Sequence, residues 1–148
     1  MLIMKNILKM LSGKDILFGV VIFSLVIVFS VFIPSNKVLV TFDENAVDIK
    51  SSKYTMNIPY EMVNNIELTD LPEPGKEIDG HDDMILLTGT WENDTWGEYH
   101  ACIELASEKC IVVHLDDGRI FVFSRRDAEE TESVYNEFET YLPSEAKK

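Results

Sequence analysis

The chain has 148 residues and a formal charge of −13, and the charge is unevenly divided. Residues 1 to 36 carry Lys5, Lys9 and Lys14 against Asp15, a net of +2, which leaves −15 for the remainder. A body this acidic repels phosphate backbones and anionic headgroups, which excludes nucleic acid and disfavours binding through a basic face.

Residues 1–14 form a basic leader. Lys5 and Lys9 stand one helical turn apart among Leu2, Ile3, Ile7, Leu8 and Leu11, a pattern of a positively charged flank that would also suit a short interfacial helix. Residues 15–34 follow as a transmembrane helix. Its apolar run, Ile16 to Ile33, has 18 residues and no charge, and at ~1.5 Å per residue it makes ~27 Å of helix against a ~30 Å hydrocarbon core. A signal peptide would have a shorter apolar core followed by small residues. Here Phe32, Ile33 and Pro34 close the run, so it reads as an uncleaved anchor ending near Ile33. Three lysines precede the run, while Lys37 and Lys50 follow within reach, a bias toward a cytoplasmic N-terminus. The expected location is the cell membrane, single-pass, with the following domain extracytoplasmic and the lipid bilayer engaged through Ile16 to Ile33.

From Lys37 the pattern changes to short alternating runs bounded by turn residues, as in an all-β domain. Expected strands are Lys37 to Phe42, Ala46 to Lys50, Tyr54 to Ile58 and Asn65 to Thr69. Leu71 to Asp83 has two prolines, two glycines and five acidic residues, and reads as a solvated, mobile loop. Met84 to Trp91 returns as a strand in which Gly89 marks a bulge or a close backbone approach. Gly97 to Leu105 and Cys110 to Leu115 are expected to pair as a hairpin around Ala106 to Lys109. Asp116, Asp117 and Gly118 then lie between two apolar runs, the strongest hairpin signature in the chain. The last element is a helix, Asp127 to Leu142, capped by Asp127 and striped by Ala128, Val134, Tyr135, Phe138, Tyr141 and Leu142. Residues 143–148 are a tail.

The segments YTMNIPYEMVNNIELTDLP, GHDDMILLTGTWENDTWGEY and CIVVHLDDGRIFVFSRRDAEETESVYNEF resemble the bacterial pleckstrin-homology-like (PH-like) domain family. The resemblance implies a PH-like domain over residues 37–142, a mainly-β barrel of about seven strands closed by the C-terminal α-helix, following the N-terminal transmembrane helix. It implies a membrane setting and no activity. Phosphoinositide binding is unlikely, because the first turn is Asp43, Glu44 and Asn45, with Lys50 and Lys53 the nearest cations.

Several side chains invite a chemical reading. In the expected hairpin His100, Cys102, Cys110 and His114 share one face. They are candidate metal ligands, although the two histidines would lie diagonally apart. A Cys102 to Cys110 disulfide suits an outward-facing domain better, and two unpaired thiols are the remaining alternative. Asp79, Asp82 and Asp83 do not match a calcium-loop pattern and read as solvated acids. His81 has no nucleophile beside it in sequence, and no nucleophile, base and oxyanion set is present, so no enzyme and no cofactor are expected. Trp91, Trp96 and Tyr99 read as packing, or, if exposed, as an interaction surface. The expected function is a membrane-anchored, non-enzymatic interaction module with a protein partner or self-association; an extracytoplasmic ligand or metal sensor is the alternative.

Overall fold

The computed structural model describes residues 37–143. The expected anchor at Ile16 to Ile33, the basic leader and the extreme tail lie outside the described residues. Among the described residues no helix is long and apolar enough to cross a membrane.

A small sheet comes first: β1 (Leu39–Phe42), β2 (Ala46–Lys50) and β3 (Thr55–Pro59), paired antiparallel in that order. Alternation decides its faces. Val47, Ile49, Met56 and Ile58 point inward, while Asp48 and Asn57 point out and bond to each other at 2.7 Å. Pro59 is the last residue of β3, where its missing N–H costs no ladder bond, and a 3₁₀ turn at Tyr60–Met62 leads into the larger sheet.

That sheet contains β4 (Val63–Asp70), β5 (Lys76–Asp82), β6 (Leu86–Asn93), β7 (Gly97–Glu104), β8 (Lys109–Leu115) and β9 (Ile120–Phe123), in the spatial order β4-β8-β9-β7-β6-β5. The β8–β9 hairpin is the one its turn residues specify, with Gly118 at φ +86° and its N–H donating to the Leu115 carbonyl at 3.0 Å. This hairpin inserts β9 between β8 and β7. The expected β7–β8 pairing is therefore not made; β7 runs parallel to β9 instead, with Cys102 opposite Phe123.

The stretch expected to be a loop, Leu71 to Asp83, is a second correction. Its C-terminal half is β5, an exposed edge strand antiparallel to β6. Its apolar signal is nearly absent because one side is solvent and the contact with β6 is made by backbone. Opposite each other stand Gly80 and Gly89. A Cβ on Gly89 would lie 2.3 Å from the Asp79 carbonyl oxygen, so of the two readings of Gly89, a bulge or a close backbone approach, the close approach is observed. The first half, Leu71–Gly75, runs from the end of β4 to the start of β5 and covers part of one sheet face, where the Tyr99 hydroxyl donates to the Pro74 carbonyl at 2.8 Å.

The larger sheet has a core on each face. On one, Ile66, Ile111, Val113, Phe121 and Phe123 pack with the small sheet and with Phe138 of α1 (Ala128–Tyr141). On the other lie Leu87, Trp91, Tyr99, Ala101, Ile103, Val112 and Val122. The Asp127 side chain accepts the Glu130 N–H at 2.8 Å, the cap read from sequence. The architecture is mainly β with one C-terminal helix, as expected. It differs in having nine strands in two sheets, and no closed barrel forms among the described residues.

The two ends of this body differ. At the entry end, the Glu104 carboxylate accepts the buried Val38 N–H at 2.8 Å, and the Leu105 N–H donates to the Ile85 carbonyl at 3.0 Å. The start of β1, the β5–β6 turn and the end of β7 therefore meet there. The far end holds the β1–β2 turn, the 3₁₀ turn, the β6–β7 and β8–β9 turns and the C-terminus of α1.

Candidate functional site

The register of the larger sheet separates the four side chains expected on one face. His100, Phe121 and Val113 form one row across β7, β9 and β8, and Cys102, Phe123 and Ile111 form the next, all facing the first core. Cys110 packs in the second core, and His114 shares its parity on β8, beside Ile120. The four residues divide two and two between opposite faces, because inserting β9 shifts the partners that a direct hairpin would have given. Among the described residues no group of three or more His, Cys, Asp or Glu side chains is placed to hold a metal.

Both cysteines are free and buried, so of the two readings, a Cys102–Cys110 bond or unpaired thiols, the structure has the unpaired thiols. Burial pushes each thiol up to about 12, far from the thiolate that nucleophilic or redox chemistry needs. His100 Nδ1 lies 3.4 Å from the Tyr54 hydroxyl and 3.3 Å from that of Thr90, with its ring 5.0 Å from Phe121. These contacts fasten the β2–β3 turn to the sheet.

The acidic trio is likewise structural or dispersed. The Asp83 carboxylate accepts the N–H groups of Ile85 and Leu86 at 3.0 and 2.8 Å, and these backbone bonds, with nearby His81 and Lys53, lower its pKa. Asp79 pairs with Thr90 within the β5–β6 ladder. His81 bonds to Lys53 and lies 3.8 Å from Asp83.

Trp91 and Tyr99 are buried in the second core, where the Trp91 indole donates to the Thr88 carbonyl at 3.0 Å. Trp96 is half-buried and meets Tyr99 edge-on at 5.1 Å. The packing reading of these three aromatics fits their burial; Trp91 and Tyr99 present almost no surface to a partner.

A different aromatic group does reach the surface, at the far end. Phe138 anchors it in the core, and Tyr141, one turn later on α1, stacks on Phe42 at 5.0 Å with planes 9° apart and on Tyr60 at 5.5 Å and 27°. Tyr141 remains 42% exposed. It borders an open groove lined also by Glu44, Asn57, Pro59, Tyr60 and Glu61, with no Lys or Arg in the lining. The Tyr60 hydroxyl donates to the Asp43 carbonyl at 3.1 Å. Burial, then the negative charge that Tyr141, Asp43 and Glu137 present, pushes Tyr60 up to about 12.

No single sequence window contains this site. Phe42 ends β1, Tyr60 opens the 3₁₀ turn and Tyr141 ends α1. The one local signal is that the apolar stripe of α1 continues through Tyr141 to the very end of the helix, with acidic residues close beside it.

No family model, curated protein or solved structure matches the chain. The functional reading therefore rests on the geometry: a partly exposed tyrosine whose ring packs on Phe42 and Tyr60, with the carboxylates of Glu44 and Glu61 at its rim to neutralise a cation.

Proposed function

We propose that this chain is a membrane-held, non-enzymatic interaction module, of PH-like kind in its mainly-β body closed by a C-terminal helix, which binds a protein partner through a lysine- or arginine-bearing segment seated in the Tyr141 groove. The single observation that carries the reading is the exposed stack of Tyr141 between Phe42 and Tyr60 beside Glu44 and Glu61. Support for the membrane setting comes from the uncharged run Ile16 to Ile33, and the lysine bias before it supports an extracytoplasmic domain. The parallel β7–β9 pair departs from a simple up-and-down order, so the PH-like kinship rests on the order of elements and the quoted segments.

The test uses the full chain in detergent micelles, titrated with a hexa-arginine peptide. Net charge alone would attract such a peptide, so the informative variant preserves charge. Tyr141→Ala should weaken binding about fivefold, the equivalent of the ~1 kcal/mol of apolar surface that the arginine stems would lie against at the groove's edge. Asp94→Asn, beside the separate groove of Glu73, Lys76 and Glu92, should change it little. Equal affinity for Tyr141→Ala and the unaltered chain would reject the groove.

A further inference from the structure

The entry end carries an unusual pair of side chains. Met84 and Ile85, at the tip of the β5–β6 turn, are 94% and 52% exposed, and Leu39 at the start of β1 is 58% exposed. Large apolar groups at such exposure lose the stabilisation that burial would give them, and an apolar surface could restore it by covering them. Glu104 and Leu105, adjacent in sequence, hold Val38 and Ile85 respectively, so these apolar side chains sit at one end of the molecule.

Chain length specifies what covers them. The apolar run ends at Ile33 and Leu39 is six residues later; fully extended, that connection reaches about 21 Å at most. The headgroup layer between hydrocarbon and water is itself ~5–8 Å thick. β6, with eight residues, is about 27 Å long, so a tether of this length favours the entry end as the part nearest the bilayer. Charge separates the ends only by degree: at the entry end Lys37, Lys50, Lys53, Lys109, Arg125 and Arg126 are balanced by Asp70, Asp82, Asp83, Glu104, Glu108 and Glu130, whereas at the far end Lys76 and Arg119 are outnumbered by Asp43, Glu44, Glu92, Asp94 and Asp117. The entry-end cations are paired locally, Lys50 with Asp48 at 2.9 Å, Arg125 with Glu130 at 3.5 Å and Arg126 with Glu130 at 2.8 Å, so charge does not draw this end to the bilayer. The apolar tip is thus the principal attraction and the acidic far end is held outward.

We infer that the Met84–Ile85 turn inserts into the interfacial layer of the same bilayer that Ile16 to Ile33 spans, so that the domain stands on the membrane at two points and presents the Tyr141 groove away from it. The inference rests on the membrane-held reading above.

The full chain is reconstituted in phosphatidylcholine vesicles, with a polarity-sensitive fluorophore attached to Met84→Cys or, as a far-end control, to Thr95→Cys. Cys102 and Cys110 are buried and free of thiolate character, so labelling is confined to the introduced residue. Quencher-bearing lipids should quench the label at Met84→Cys severalfold more than at Thr95→Cys. An alkaline wash separates the two ways of failing. If the chain stays with the vesicles but the two labels are quenched alike, the turn does not insert and the anchor stands. If the wash strips the chain from the vesicles, the anchor itself is lost and the insertion with it.

Discussion

Gly80 and Gly89 face each other across β5 and β6 with no room for a methyl group on either. Gly89 has φ +96°, and a Cβ there would lie 2.4 Å from the Gly80 Cα, while a Cβ on Gly80 would lie 2.2 Å from the Thr88 carbonyl oxygen. Gly118 has a similar φ of +86° but open space around it. Gly118→Ala should therefore cost only the ~1–2 kcal/mol of a left-handed alanine. Gly89→Ala should cost clearly more, since backbone must also move. Urea unfolding of the two variants measures the difference, and equal losses would mean that the β5–β6 approach is looser than described.

Thr131 ties α1 to the sheet through three partners. Its hydroxyl accepts the Arg125 N–H at 3.0 Å, donates to the Asp127 carbonyl at 2.8 Å and lies 3.1 Å from the Ser107 hydroxyl, all in a buried setting. Thr131→Val keeps the volume and removes the polar partner. Leaving Arg125 N–H unsatisfied should destabilise by ~1–3 kcal/mol. Thermal unfolding of Thr131→Val beside Thr131→Ser separates the hydroxyl from the methyl, with Ser retaining most of the stability.

Asp127 should make stability depend on pH at the acid end. The Glu130 N–H, foremost among its partners, with the Arg126 side chain, holds its pKa below the ordinary 3.8. A depressed carboxylate contributes stability that is fully present above its unfolded value and lost as pH falls through the folded one. Melting temperature should therefore drop below pH 4, and Asp127→Asn, which can still cap the helix, should show a shallower drop. Identical slopes would assign the acid sensitivity to Asp48, Asp83 and Asp117, which are also depressed.

Two thiols should be silent in the folded chain and appear together on unfolding. At pH 8 a thiol reagent should modify neither Cys102 nor Cys110 until denaturant is added, and a reductant should leave the melting temperature unchanged. A reductant-sensitive melt would reveal a bond that the opposed faces of Cys102 and Cys110 do not permit.

What could be read from sequence was local. The Asp116–Gly118 turn and the Asp127 cap need only residues within a few positions, and both are found as expected. The order of strands is nonlocal. Nothing in Gly97 to Leu115 announces that β9, encoded later, will enter between β7 and β8, and parity does the rest: one residue of offset sends a side chain to the opposite face, so Cys102 and Cys110 part company. β5 escapes notice because its backbone, not an apolar face, makes its contact with β6. The Tyr141 groove escapes because its aromatics come from β1, the 3₁₀ turn and the end of α1, each unremarkable alone.

β1 has a further consequence. Its first residue adjoins the Val38 N–H clamped by Glu104, and its last, Phe42, is part of the aromatic stack. A pull applied to Phe42 against the chain entering at Lys37 would run along β1, whose ladder with β2 lies across that direction. The ladder bonds are then loaded together in shear instead of being unzipped one by one. This short strand thus connects the Glu104 contact at one end of the body with the aromatic stack at the other.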